Sequence, residues 1–493
     1  MFPEWYLPRI GGTIRQIRSF YYLHMNMNHS TMTTDNNNTN QNNNTATPSL
    51  FGIRGQVLTY KDNPLFVPAA DCYDYYPDGL VVVRDGVIDA VGAYDDLIGR
   101  YPGLDRVDTY ENAVVMPGFI DCHLHYVQSP MIGSFGDTLL DWLNRYTFPT
   151  ESKFRSREFA DEVARVFFRQ LLQQGTTTAN VFATTFPVSV DAFFEESERW
   201  NTRMISGKVL QDRNLPDSLR DTSAAASVEE SERLLEKWHR RGRQLYAVVP
   251  RFAPTSTDEQ LRLAGELYRR HAAEGVYMHT HLDEAYDEIE WVKELFPWSK
   301  NYTDVYEHFG LLGPTAVLAH CCIVKEEEWQ TIHDAGAAAV HCPSSNLFLG
   351  DGEFRYWDAS KASRPCRFGI GTDVGAGTNF SIPRQLGEAY KVAMMQQHSL
   401  DAASSFYLAT LGGARALRLD DRIGSLRPGN EADIAVLSLA PTEFVEWRMQ
   451  FASDIFEKLF VLQTMGLDNM NIATYVAGKK VFDRAAASPF AMP

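Results

Sequence analysis

Short apolar runs alternate with segments of helical period along most of the chain. Before the second run, for example, Phe159, Val163 and Phe167 recur at the spacing that places side chains on one face of a helix. Each run spans only a few residues between turn-forming or polar residues, which is typical of a buried strand. Eight strands are predicted on this basis, at residues 114–125, 175–180, 203–210, 247–254, 275–282, 315–321, 336–343 and 368–373.

The order of these elements predicts an α/β fold. Strands separated by helices pair in parallel, and eight such units over roughly 300 residues predict a closed, TIM-like (β/α)8 barrel. In that fold the chemistry takes place at the C-terminal ends of the strands. Polar residues occupy those ends in this sequence, namely His123, His125, Arg251, His281, His320, His341 and Asp373.

The two flanks of the predicted barrel contain short β segments of a different kind. One flank has an Asp85-Gly86 turn, which is a strong signal of a β-hairpin. The start of the chain has a polar Asn/Thr tract that cannot form a core. The predicted organisation is a disordered Asn-rich extension at 1–50, a small β-sandwich domain made from 51–113 and 423–486, the catalytic barrel at 114–422, and a tail at 487–493.

Composition narrows the class of protein. The 493 residues are 44% hydrophobic and 22% charged, which is enough for a large core. We expect no membrane association because no apolar run is as long as a membrane span. The formal charge of −17 argues against a nucleic-acid groove, which needs a basic face. Six cysteines without framework spacing predict reduced thiols and a cytoplasmic location.

Two histidines at the end of the first strand carry the first chemical signal. His123 and His125 are two residues apart, so on a strand they point the same way and could share a metal ion. Such a pair taken alone could equally be core histidines, but the other polar strand ends favour a metal. A hydrolytic zinc needs three or four ligands, and His281 and Asp373 would complete the set, with His279 as a competitor of His281. We expect one zinc ion per chain, although iron is chemically possible.

Several segments resemble a known family. PGFIDCHLH at 117–125, the HxxE pattern at His281–Glu284, His320, and GTDVGAG around Asp373 resemble the amidohydrolase superfamily, as does RPGNEADIAVL at 427–437. Within that superfamily, the sequence resembles the guanine deaminases in particular. The segments that carry this resemblance are LLDWLNRYTFPTE (139–151), GTTTANVFAT (175–184), VPRFAPT (249–255) and HCPSSN (341–346). The resemblance covers residues from about 51 to 485.

The resemblance implies the hydrolytic deamination of guanine to xanthine and ammonia by a zinc-dependent homodimer. It implies that Glu284 shuttles protons, that Asp373 takes a proton from water, and that His320 orients the nucleophile. A single metal is implied because strand four lacks the lysine that binuclear relatives carry. The residues implied to hold the base are Gln128, Arg251, Phe252, His281, Glu284, His320 and Asp373.

The same fold also serves functions other than guanine deamination. Related barrels act on other nucleobases, on nucleosides or on triazines, but Gln128 and Arg251 together favour an oxo-purine. A catalytically inactive scaffold of the same fold is the alternative from another class, and it is disfavoured because every expected ligand is present. Asp283 lies directly before Glu284, so the assignment of the proton shuttle must distinguish two adjacent acids.

Overall fold

The computed structural model describes residues 49–136, 138–466 and 468–486. The predicted tail at 487–493 lies outside these residues, as does the predicted extension except for Ser49 and Leu50. The described residues contain no helix that is long and apolar enough to cross a membrane. The strands are β1 (Leu50–Tyr60), β2 (Tyr73–Arg84), β3 (Val87–Ala93), β4 (Val107–Pro117), β5 (Phe119–His125), β6 (Thr176–Phe182), β7 (Arg203–Gly207), β8 (Val209–Leu210), β9 (Leu245–Pro250), β10 (Tyr277–Leu282), β11 (Ala316–His320), β12 (Ala338–His341), β13 (Arg367–Ile370), β14 (Ile434–Ser438), β15 (Asn471–Val476) and β16 (Lys479–Asp483).

Helices fill most of the intervals between these strands. The α-helices are α1 (Ala69–Cys72), α2 (Tyr94–Ile98), α3 (Leu139–Trp142), α4 (Phe148–Glu151), α5 (Arg157–Gln173), α6 (Pro187–Trp200), α7 (Ala224–Trp238), α8 (Asp258–His271), α9 (Tyr286–Leu295), α10 (Tyr302–His308), α11 (Glu326–Ala335), α12 (Pro343–Leu349), α13 (Tyr356–Ala359), α14 (Ile382–Met395), α15 (Ala402–Tyr407), α16 (Gly413–Ala416), α17 (Glu443–Met449) and α18 (Ile455–Met465). Short 3-10 turns lie at Tyr126–Met131, Ser152–Arg155, Ala253–Thr255 and Ala272–Glu274, and π turns at Leu143–Thr147 and Leu408–Gly412.

Eight parallel strands form the barrel, and they are neighbours in the order of the chain. The order is β5, β6, β7, β9, β10, β11, β12 and β13, with β8 as a two-residue extension that also pairs with β9. The predicted (β/α)8 barrel is therefore confirmed. Its strands are buried along nearly their whole length, as expected when helices cover a parallel sheet.

The barrel closes where the segment that follows β13 forms hydrogen bonds with β5, the first strand of the barrel. The backbone N–H of Asp373 donates to the carbonyl of His123 at 2.9 Å, and the N–H of His125 donates to the carbonyl of Val374 at 2.7 Å. The buried carboxylate of Asp121 accepts from the N–H of Thr372 at 3.0 Å and also from its hydroxyl. Closure therefore places Asp373 beside the two histidines of β5.

The flanks form a second sheet of seven strands, in the order β16, β15, β14, β4, β1, β2, β3. Strands from both ends of the chain meet where β14 pairs antiparallel with β4, as in the register of Val436 with Val115. Ile53, Val115 and Ile434 lie in one buried apolar cluster on this sheet. The expected β domain made from both flanks is confirmed.

The start of the barrel differs from the sequence pattern. The apolar run Val114–Met116, expected to lead into the first barrel strand, lies in β4 of the other sheet, and β5 begins at Phe119. Gly118 separates the two strands, and a Cβ atom there would lie 2.2 Å from Oγ1 of Thr177. The chain therefore passes from one sheet to the other at a position that has no room for a side chain.

Candidate active site

Three histidines and one aspartate converge at the C-terminal end of the barrel. Nε2 of His123 lies 3.2 Å and Nε2 of His125 lies 3.4 Å from Oδ1 of Asp373. Nε2 of His281, at the end of β10, lies 3.2 Å from Nε2 of His125. All four side chains are buried. The structure thus brings together the four residues that the sequence predicts as metal ligands.

Hydrogen bonds on the far side of the rings determine which nitrogens point into this group. Nδ1 of His281 lies 2.7 Å from the carbonyl oxygen of Arg251, which can only accept, so Nδ1 carries the proton and Nε2 carries a lone pair. Nδ1 of His123 lies 2.8 Å from Nε2 of His279. His279 therefore lies behind His123, and His281 is the histidine of β10 that reaches the group.

The donor set fits a metal ion. Burial, followed by the proximity of His123, lowers the pKa of both His125 and His281 well below the usual value, so these rings are neutral. Nitrogens of neutral rings that face each other at 3.2 Å repel unless a cation or a proton lies between them. Within the described ranges, Nε2 of His123 is buried and makes no hydrogen bond of acceptable geometry, although Oδ1 of Asp373 lies 3.2 Å away. Imidazole nitrogens with a carboxylate oxygen are a ligand set that zinc prefers.

A second pair of side chains lies beside this group. Nε2 of His320, at the end of β11, is 3.4 Å from Oε1 of Glu284 and 4.0 Å from Oδ2 of Asp373. Burial lowers the pKa of His320 to about 4. Burial, followed by the nearby carboxylates of Asp351 and Glu288, raises the pKa of Glu284 well above its usual value. Glu284 is therefore suited to carry a proton near neutral pH, as a general acid must.

The two adjacent acids face different surroundings. Burial and the proximity of Glu328 raise the pKa of Asp283, whose backbone carbonyl accepts from the N–H groups of Cys322 at 3.0 Å and Ile323 at 3.2 Å. Asp283 has a positive φ of 49°, which turns the chain at the end of β10. Glu284 lines the cavity above the metal group and Asp283 does not.

A small cavity lies over this cluster. All seven residues predicted from the sequence to hold the base line it. Its apolar side is formed by Leu139, Trp142, Leu143 and Ala376. A small, mostly pre-formed cavity that combines an apolar wall with a few polar groups is typical of a site for a small molecule.

A sequence model of the amidohydrolase family matches residues 114–481, which is more than half of the chain. The chain belongs to the amidohydrolase family. The guanine deaminase of Escherichia coli (strain K12) is 44% identical over 439 residues, which are 88% of this chain and 98% of that relative.

Solved structures agree with this assignment. A structure of E. coli guanine deaminase superposes with a TM-score of 0.84 at 42% identity, covering 88% of this amidohydrolase and 100% of that chain. Guanine deaminase from C. acetobutylicum, solved with guanine bound in the active site, superposes with a TM-score of 0.78 at 27% identity, with coverages of 88% and 100%.

Two acids at the amidohydrolase site were not singled out from the sequence. Glu151, at the end of α4, accepts hydrogen bonds from Gln128 and Arg251. Asp351 follows α12, and its carboxyl group is close enough to Glu284 to raise the pKa of that residue. The one available signal for Glu151 was its place as the last residue of LLDWLNRYTFPTE (139–151), a segment with three aromatic residues. Nothing in the sequence around Asp351 distinguishes it from a surface loop residue.

The first prediction concerns the metal. We expect purified protein to contain about one zinc ion per chain, as measured by elemental analysis, because the candidate ligand groups among the described residues share His123, His320 and Asp373 and so form one cluster. Replacement of His123, His125 or Asp373 by Ala should reduce the metal content to a small fraction, since each removes a ligand.

The matched control is His341→Ala. His341 is also a buried histidine at a strand end, but it stacks on Phe354 with ring centroids 4.8 Å apart and lies outside the metal group. This variant should keep its metal. Two metals per chain in active wild-type protein would contradict a mononuclear site.

Proposed function

We propose that this amidohydrolase catalyses the zinc-dependent hydrolysis of guanine to xanthine and ammonia. The observation that carries the proposal is the cavity, which places a His/Asp metal group, a carboxyl group of raised pKa and an arginine–glutamine wall around one small space. Relatives that match nearly along their whole length bear the name guanine deaminase.

The base would bind against the wall that Gln128 and Arg251 form. The guanidinium group is planar and only donates hydrogen bonds, so it suits a carbonyl oxygen or a ring nitrogen of the base. The Gln128 amide both donates and accepts. The centroid of the Phe252 ring lies 6.5 Å from that of the His281 ring. In this placement, C2 of guanine would face the metal group.

His123, His125, His281 and Asp373 would hold the zinc ion. A bound zinc ion lowers the pKa of a coordinated water to about 7, which supplies a nucleophile at neutral pH. Asp373 would accept the proton that this water loses. His320, neutral at that pH, would orient the nucleophile through its Nε2 atom, which lies 3.4 Å from Oε1 of Glu284 and 4.0 Å from Oδ2 of Asp373.

Glu284 would transfer the remaining protons. As an oxygen adds to C2, the adjacent ring nitrogen becomes basic, and the protonated carboxyl group of Glu284 donates to it. The amine must then leave as ammonia, so it also needs a proton. The C2 hydroxyl would lose this proton as the carbonyl forms, and Glu284 would carry it to the amine. The proton held by Asp373 would finally return Glu284 to its protonated form. The sum of these steps is one guanine and one water converted to one xanthine and one ammonia.

A substrate panel tests the proposed function. Purified protein should release ammonia from guanine and form xanthine, with little release from adenine, cytosine or their nucleosides. The expected preference follows from an arginine that only donates where the base carries a carbonyl oxygen. Ammonia release from another compound of the panel, with none from guanine, would reject guanine as the substrate.

Glu284→Gln tests the proton transfer. The amide keeps the size of the side chain but cannot cycle a proton, so kcat for guanine should fall by at least about 10²-fold. Zinc content should stay at the wild-type value, because Glu284 is not among the proposed ligands.

Asp283→Asn is the matched control for this variant. Asp283 is the neighbouring buried acid, and it faces Glu328 instead of the cavity. Its replacement should reduce kcat much less than Glu284→Gln does. If Asp283→Asn were the more damaging change, the proton shuttle would have to be reassigned.

Replacement of Arg251 tests base recognition. Arg251→Ala should raise KM for guanine at least about tenfold, because a polar edge of the base loses its partner in a buried site. Zinc content should not change. Arg251→Lys is the milder variant, since it keeps the positive charge but lacks the planar fork, and it should also raise KM. Unaltered guanine kinetics in both variants would place the base elsewhere.

Three further expectations concern the cellular location, the oligomeric state and the domain boundaries. A cytoplasmic location is supported by six cysteines that are all free and buried. The homodimer implied by the resemblance and the domain boundaries at residues 50, 113, 422 and 486 stay predictions.

A further inference from the structure

One buried carboxylate lies behind the wall of the cavity. Glu151, with no solvent-exposed surface, accepts hydrogen bonds from Nη1 of Arg251 at 2.8 and 3.1 Å and from Nε2 of Gln128 at 3.1 Å. The Arg251 side chain is buried too, so the two charges form an ion pair away from water. A buried ion pair requires good geometry and further hydrogen bonds, and the bond from Gln128 supplies one.

Both ends of the Gln128 amide are consequently fixed. The carboxylate of Glu151 can only accept, so it holds the amide nitrogen, while the N–H of Gly375 donates to Oε1 of Gln128 at 3.2 Å. An amide flip would place oxygen against carboxylate and N–H against N–H. Gln128 is therefore left with one donor and one acceptor of known orientation for a ligand.

The same carboxylate also limits which part of Arg251 remains available. Its bonds engage Nη1, and across the described residues no hydrogen bond involves Nε or Nη2 of Arg251. The backbone carbonyl of Arg251 meanwhile accepts from His281, so the residue is held at both ends. Arg251 and Gln128 line the cavity, whereas Glu151 does not.

We propose that Glu151 is a positioning residue that determines the preference of the site for a 6-oxo purine over a 6-amino purine. This inference rests on the proposed function. A 6-oxo purine presents an acceptor at position 6 and a donor at N1, whereas a 6-amino purine presents the reverse. In this wall Arg251 can only donate hydrogen bonds and the Gln128 amide cannot rotate. The wall therefore matches the polar groups of a 6-oxo purine and leaves those of a 6-amino purine without partners.

Loss of the Glu151 carboxylate would free Gln128 and Arg251 to change their hydrogen bonds. In Glu151→Gln the side chain keeps its size but no longer offers two charged acceptor atoms. The Gln128 amide could then rotate, and Arg251 would lose the partner that holds its Nη1. The wall could adapt to either base, at the expense of affinity for the 6-oxo compound.

The test compares guanine with 2,6-diaminopurine, which has the same amine at C2 and differs only at position 6 and N1. Ammonia release from C2 is measured for both. For Glu151→Gln we expect KM for guanine to rise about tenfold with kcat changed less than about threefold, and the ratio of kcat/KM for guanine to that for 2,6-diaminopurine to fall at least about tenfold. Zinc content should stay at the wild-type value.

Glu196→Gln is the matched control. Glu196 is likewise a buried helical glutamate that accepts from two side chains, Arg199 at 3.0 Å and Trp200 at 2.9 Å, but it does not line the cavity. Its replacement should leave both kinetic constants and the substrate ratio at wild-type values. An unchanged ratio in Glu151→Gln, even with a raised KM, would overturn the inference and leave Glu151 with a structural role.

If Glu151→Gln does not fold, Glu151→Asp replaces it. That variant keeps the charge but withdraws the carboxylate by one methylene group, so the substrate ratio should fall in the same direction, and an unchanged ratio overturns the inference. The wild-type measurement separates the two levels of proposal. Wild-type protein that does not deaminate guanine rejects the proposed function, whereas guanine turnover with a ratio insensitive to Glu151 rejects only the role of Glu151.

Discussion

The hydrogen bonds that close the barrel bring the carboxylate and two of the histidines of the site together. Asp373 and the β5 histidines come from opposite ends of the barrel sequence, yet the backbone of Asp373 pairs with that of His123 at 2.9 Å and its neighbour Val374 pairs with His125 at 2.7 Å. Asp121 stabilises the same junction from inside the barrel by bonding the backbone and hydroxyl of Thr372. Because the carboxylate and two of the imidazoles are tied through the backbone, the metal group is assembled by the same interactions that complete the fold.

Burial at this junction gives the histidines their chemistry. A ring that is removed from water becomes hard to protonate, and a neutral ring offers a lone pair to a metal. The second nitrogen of each ring then needs a partner that fixes its direction. For His281 that partner is the carbonyl of Arg251, and for His123 it is the ring of His279. Arg251 thus joins the metal group to the wall of the cavity.

Sequence periodicity predicted the eight barrel strands and the level at which their polar ends lie, because both follow from local alternation and from fold topology. It did not reveal the change of sheet at Gly118, since that break depends on the close approach of Thr177 from another strand. Roles for Gln128, Arg251 and Phe252 came from resemblance to a family. Glu151 was missed because its partners are 23 and 100 residues away, and no local pattern encodes such a pairing.

Two buried glutamates of the site, Glu151 and Glu284, have opposite surroundings. Glu151 faces Arg251 and the donor end of an amide, so an ionised carboxylate is compensated there. Glu284 is surrounded by other carboxyl groups, including Asp351, whose own pKa is raised to about 8 by burial and nearby acids. A group among like charges stays protonated more easily. Pairing with Arg251 thus gives Glu151 a part in the surface proposed to recognise the base, whereas burial among other carboxyl groups leaves Glu284 with a proton that it can donate.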